Sequence, residues 1–185
     1  MYEELKKKVR KRMDKSITSL ADEFKKIRSS RANASLVEGI MVDYYGNKMP
    51  LKQLAGISVP EPRLIVIQPW DKNALSAIEK AINTSDLMLT PNNDGKVIRI
   101  NVPPLTEERR KELVKITKAK AEEARVAIRN IRREINEEIK KQEKDGSLGE
   151  DEAKRLLDEV QKITDEYISK INDMLSVKEK EIMEV

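Results

Sequence analysis

Apolar side chains recur every three or four residues along three separate stretches of this chain. That spacing lines them up as one stripe on a helix in each stretch. The first stretch, residues 2–28, carries Leu5, Val9, Met13, Ile17, Leu20, Phe24 and Ile27. The second opens after Pro103-Pro104-Leu105, with Thr106 placed as an N-cap and Glu107 and Glu108 at the positive end of the helix dipole. Its stripe includes Leu113, Ala121, Ala124, Ile128, Ile131, Ile135 and Ile139, and the turn signal Lys144-Asp145-Gly146 ends it. Ser147 and Glu150 have the spacing of a capping box for a third helix, with Ala153, Leu156, Val160, Ile163, Tyr167, Ile171 and Met174 as its stripe. None of the three can bury its stripe alone, and the short link between the second and third makes them antiparallel neighbours. The pattern predicts a long antiparallel three-helix bundle.

The intervening segment has a period of two. Ile40, Val42 and Tyr44 alternate before the turn Gly46-Asn47, and Ile57 and Val59 lead to a stop at Pro60-Glu61-Pro62. Leu64 to Gln68 is rich in β-branched residues, and Asp71 is placed to cap a short helix with Leu75, Ile78 and Ile82. Pro91-Asn92-Asn93-Asp94-Gly95 predicts a turn, after which Ile98, Ile100 and Val102 alternate again. The fold class is thus α+β, mainly helical, with a small β/α/β domain (31–105) inserted into a bundle formed by 1–30 and 106–185. Two crossings, at Ser29-Ser30 and at Pro103-Pro104-Leu105-Thr106, join the domains as a two-strand hinge.

Composition narrows the chemistry. Of 185 residues, 38% are charged and 3% aromatic, a balance that suits long solvated helices. No run is long and apolar enough for a membrane span, and Met1 to Lys8 is charged where a signal peptide needs its apolar stretch. The expected location is the cytoplasm, with no membrane partner. The chain has neither cysteine nor histidine. Thiol nucleophiles, thiolate metal sites and the commonest general base are therefore unavailable. No catalytic residue, metal or cofactor is expected.

The net charge of +4 is unevenly spread. Residues 1–31 hold 11 basic and 5 acidic side chains, whereas residues 145–185 hold 6 basic and 12 acidic. Such segregation fits a surface that faces a polyanion, and equally a set of solvated helical faces. Arg125, Arg129 and Arg132 fall at i, i+4 and i+7 of the second helix, with Arg133 beside them. Guanidinium groups suit bidentate contact with phosphate oxygens, but pairing with Glu122 and Glu123 is open on spacing alone. Arg28 and Arg31 are placed at the end of the first helix, where they serve either its dipole or a second phosphate contact. The run Lys6, Lys7, Lys8, Arg10, Lys11 and Arg12 is expected to be a solvated face. Tyr44 and Tyr45 are expected to pack in the small domain, and Trp70 to anchor its core. A helical adaptor and a carboxylate- or lysine-based enzyme are competing readings. The first needs a leftover apolar stripe, and the second a convergent charged pocket.

The ordered motifs resemble one family. Arg28-Ser29-Ser30-Arg31-Ala32, Val42-Asp43-Tyr44-Tyr45-Gly46, Pro50-Leu51-Lys52-Gln53-Leu54-Ala55, Pro69-Trp70-Asp71 and Ile78-Glu79-Lys80-Ala81-Ile82 are similar to ribosome recycling factors. So are Pro103-Pro104-Leu105-Thr106-Glu107-Glu108-Arg109-Arg110-Lys111, Ile128-Arg129-Asn130-Ile131-Arg132-Arg133 and Lys178-Glu179-Lys180-Glu181-Ile182-Met183. The resemblance implies an L-shaped arrangement of bundle and small domain. It also implies action with GTP-bound elongation factor G to split post-termination ribosomes and free mRNA and tRNA. Large-subunit RNA would be the partner of the bundle, through Arg129, Arg132 and Arg133, and the small domain would swing under the elongation factor. A monomer is expected, since the bundle uses its own stripes. Ser30 and Met88 stand where the family pattern has glycine, and Gly149 where it has serine.

Overall fold

In the computed structural model, which describes residues 2–27 and 31–184, five helices and six strands follow one another in the order αα-ββββ-α-ββ-αα. The chain divides into two compact units, Met1–Ile27 with Lys111–Lys180 and Arg28–Arg110 with Glu181–Val185.

The first unit is built from α1 (Tyr2–Lys25) and from most of α4 (Glu107–Lys144) and α5 (Glu150–Met183). At ~1.5 Å per residue the 38 residues of α4 extend about 57 Å. The three stripes close on one another. Leu5, Val9, Met13, Leu20 and Phe24 of α1 join Ala121, Ile128, Ile131, Ile135 and Ile139 of α4 and Ala153, Leu156, Val160, Ile163, Tyr167 and Ile171 of α5 in one buried cluster. Ile17, Ile27, Ala124 and Met174 pack against it half-buried. Tyr167 carries the one phenol of this core, and its hydroxyl donates to Asp14 at 2.5 Å. Burial and that bond push the phenol up to about 12, so it stays a neutral donor. Thr117 and Thr164, also buried, spend their hydroxyls on the carbonyls of Leu113 and Val160 one turn earlier.

The second unit holds a hairpin, β1 (Met41–Tyr44) with β2 (Asn47–Pro50), and an antiparallel four-stranded sheet. In the sheet the order is β3 (Ala55–Glu61), β4 (Leu64–Pro69), β6 (Ile98–Asn101), β5 (Pro91–Asn93). The short helices α2 (Ser35–Glu38) and α3 (Leu75–Asn83) complete it. Val42, Leu51, Ile65, Ile67, Ile78, Ile82, Ile98 and Ile100 form its core.

Several local expectations need correcting. The stop at Pro60 is not a strand end, because β3 continues to Glu61 with a register irregularity after Ser58. β3 lies at the sheet edge, where a residue lacking an N–H is tolerated. Pro91 to Asn93 form the opposite edge strand, and the turn is confined to the next residues. There the Asp94 carboxylate accepts from the amides of Lys96 and Val97, which holds it well below the usual carboxylate range. Trp70 is 71% exposed and anchors nothing, because the residue before the Asp71 cap points outward while Pro69 and Ala74 turn inward. Tyr45 is 74% exposed at φ +49°, whereas Tyr44 is half-buried and its hydroxyl donates to Asp71. Ser147 caps no helix, since its hydroxyl and amide both turn to Asp145 Oδ1. The α5 helix begins at Glu150 after Gly149, whose carbonyl accepts from Ala153. Serine at that position would add a side-chain cap that glycine lacks. Met88 takes φ +53° and is fully open to solvent, a backbone state that glycine adopts without penalty.

Candidate nucleic-acid interface

α4 presents its arginines because Ile128, Ile131 and Ile135 turn inward and fix the helix rotation. Arg125, Arg129 and Arg132 emerge half-buried beside the α5 seam, and Arg133 is exposed. Arg125 Nε and Nη2 both donate to Asn172 Oδ1, at 3.0 and 2.8 Å, and its Nη1 donates to Glu122 at 3.0 Å. Arg129 Nη1 reaches the other oxygen of the same Glu122 at 3.2 Å. Arg132 Nη1 makes a long bond of 3.4 Å to Gln161 Oε1. Among the described residues Arg133 has no hydrogen-bonding or ion-pair partner.

Of the four guanidinium groups, two therefore share a single carboxylate, and no other carboxylate bonds the group. Hydrogen bonds from Arg125 and then Arg129 hold Glu122 below the ordinary glutamate range, so it stays ionised. It offsets one charge of four. Pairing with Glu122, open on spacing alone, is real for Arg125 and Arg129 and does not extend to Arg132 or Arg133. Glu123 serves Lys120 instead.

The basic run of α1 is organised differently, and the expectation of a plain solvated face fails for four of its six residues. Lys8 and Arg12 pair with Glu138 and Glu134 of α4, while Lys6 and Arg10 pair with Glu159 and Glu166 of α5. Lys7 and Lys11 alone have no ion-pair partner among the described residues, and Lys8, though paired, is exposed as they are. The alternation follows from helix geometry. Residues 6 and 10 flank one side of the Leu5-Val9-Met13 stripe and residues 8 and 12 the other, so each side meets a different neighbour. The Arg10 bond lowers Glu166, and the same bond raises the arginine. These cations are spent on holding the bundle in register.

The remaining expected site residues are placed as follows. Arg28, Ser29 and Ser30 lie outside the described residues. Arg31 is six residues beyond the end of α1 and pairs with Glu184 at 3.2 Å, so it does not serve the α1 dipole. Pro103, Pro104 and Leu105 run in irregular chain, and Thr106 Oγ1 accepts from Arg109 as the α4 cap. Gln161 and Asn172 were not singled out by the sequence. Their part depends on the register between α4 and α5, which leaves no mark in either segment alone.

Other surfaces offer less. The exposed large apolar residues of the bundle unit among those described are Ile116, Val126 and Val177. Ile116 and Val126 are ten residues apart, too far for a stripe at helical spacing. A shallow groove beside Trp70 is lined by Gly56, Ile57, Ser58, Gln68 and Pro69, with no charged group. Among the described residues no helix is long and apolar enough to cross a membrane, and no cluster of acidic side chains is arranged to hold a metal ion.

Comparison with known proteins agrees with this architecture. Residues 20–183 match the family described as Ribosome recycling factor. The ribosome-recycling factor of Carboxydothermus hydrogenoformans is 56% identical over 185 residues, covering all of both chains. That of Halalkalibacterium halodurans is 55% identical, again over the full length of both. A solution structure of ribosome recycling factor superposes with a TM-score of 0.78 at 51% identity, covering 100% of this chain and 98% of the other. The T. thermophilus ribosome recycling factor, described together with E. coli elongation factor G bound to the E. coli post-termination complex, gives a TM-score of 0.68 at 49% identity, with both chains fully covered. With the bundle, the inserted sheet unit and the arginine row now joined to these matches, the chain belongs to the ribosome recycling factor family.

Proposed function

We propose that this protein works with GTP-bound elongation factor G to dismantle the post-termination ribosome, separating the subunits and freeing mRNA and tRNA. It acts by binding and without covalent catalysis, as a cytoplasmic monomer. The bundle docks on large-subunit RNA through Arg129, Arg132 and Arg133, with Arg125 at the margin. One observation carries this reading: in a chain of this family, four arginines stand in a row on a rigid helix with one carboxylate among them. Phosphate oxygens are the natural complement of such donors, and folded RNA supplies them without any need to read bases. The small unit addresses the elongation factor, and the crossings at Ser29-Ser30 and Pro103-Pro104-Leu105-Thr106 let it move. Arg28 and Arg31 are secondary contacts in this scheme.

The test is subunit splitting. Post-termination ribosomes mixed with this protein, elongation factor G and GTP should lose light scattering only when both proteins are present. Splitting by elongation factor G alone at the same rate, or none with both, would refute the assignment.

A further inference from the structure

We infer that Asn172 and Gln161 of α5 are positioning residues for the RNA-docking arginines, holding Arg125 and Arg132 in place without adding a carboxylate to the one, Glu122, that already pairs with Arg125. The inference rests on the reading of that row as the RNA contact.

The choice of side chain is what carries it. α5 elsewhere answers cations with carboxylates: Glu159 takes Lys6, Glu166 takes Arg10 and Glu179 takes Lys118. The segment 145–185 is two to one acidic. Against the arginine row, however, the acceptors are two amides. Both Arg125 donors converge on one oxygen of Asn172, so the amide can face only one way. Gln161 is fixed from both ends. Its Oε1 accepts from Arg132 and its Nε2 donates to Asp165 at 2.9 Å. An amide can bridge a guanidinium and a carboxylate in this sense, as a carboxylate cannot, and here it stands between Arg132 and Asp165. A carboxylate at either position would accept the same bonds more strongly. The fold therefore does not require amides, whereas keeping the row free of any carboxylate beyond Glu122 does.

The experiment uses the full-length protein and purified large ribosomal subunits, with affinity measured across a salt series. Gln161→Glu combined with Asp165→Asn moves one carboxylate onto Arg132 at constant net charge. Asn172→Asp places a second one, beside Glu122, on Arg125. Each is expected to bind about two- to fivefold more weakly, the worth of one ion pair. Each should also show a salt slope smaller by about one counterion. Melting temperature should be unchanged or higher, which a loss of structure would not give. Arg132→Ala serves as the reference. If it weakens binding while both carboxylate variants bind as the parent does, the positioning role is overturned and the RNA contact stands. If Arg132→Ala itself binds with unchanged affinity and slope, the RNA reading fails and this inference falls with it.

Discussion

Two rows of cations run along this bundle, and they have opposite partners. On α1, Lys6, Lys8, Arg10 and Arg12 each meet a carboxylate on another helix. On α4, Arg125 and Arg129 share Glu122, Arg132 meets an amide, and Arg133 meets nothing among the described residues. By sequence the α1 run is the denser in cations, although it is expected to be only a solvated face. By structure its charge is mostly spent inside the protein. Cation count along a segment thus says little about binding; what matters is how much charge is left after the neighbouring helices have answered it. The α1 pairs stabilise modestly, since every partner keeps a quarter or more of its side chain exposed and solvent screens them. Their value is in fixing which helix faces which.

The largest difference between the rows should appear in function. Replacing Arg129 and Arg132 together by alanine is expected to slow subunit splitting at limiting protein by at least about tenfold, because charge-assisted bonds to phosphate are lost. Replacing Lys8 and Arg12 should leave the rate within about twofold. Equal losses from the two pairs would erase the distinction drawn here.

A charge reversal sharpens the structural half. Arg12→Glu sets two glutamates against each other at residue 134 and should lower the melting temperature by a few degrees, roughly 1 kcal/mol or less given the exposure. Adding Glu134→Arg should recover most of that loss. No recovery would mean that the pair does not couple α1 to α4.

Acid should probe the same row. Glu166 titrates below its ordinary range because of its hydrogen bond from Arg10. A depressed carboxylate contributes stability that is complete above its unfolded value, about 4.3, and is lost as pH falls through the lower folded value. The parent should therefore lose melting temperature below about pH 4.3, and Glu166→Gln should show a shallower fall there. An identical acid profile in the variant would exclude this pair as a contributor.

The smallest effect is a control on both rows. Gly149→Ser supplies the side-chain cap that α5 lacks and should stabilise the bundle by a few tenths of a kcal/mol. Nothing crowds a Cβ at Gly149. Binding to large subunits should not change, which separates stability from docking.

The sequence makes the helices legible because one stripe satisfies both periodicity and burial. Val9, Ile128, Ile135 and Ile171 are each fully buried where the spacing puts them. The alternating strands are legible for the same reason, through Ile98 and Ile100. What fails to show is whatever a second segment decides. Pro60 and Pro91 look like breakers until the sheet order puts β3 and β5 at its edges. Trp70 looks like a core residue because hydrophobicity carries no direction at a turn. Ser147 has the spacing of a cap, but Asp145 competes for its hydroxyl over a shorter path. Glu122 is legible as a partner of the arginines because it lies on their own helix. Gln161 and Asn172 are not, because only the antiparallel register of α4 and α5 brings them within reach.

The most direct test of the central claim is the salt dependence of binding to purified large subunits. The parent, Arg129→Ala with Arg132→Ala, and Lys8→Ala with Arg12→Ala should be titrated side by side. A row with unspent charge releases about one counterion per phosphate contact, so the α4 pair should reduce the slope of log affinity against log salt by about two. The α1 pair should leave it unchanged. A slope that drops for the α1 pair and holds for the α4 pair would contradict the account outright.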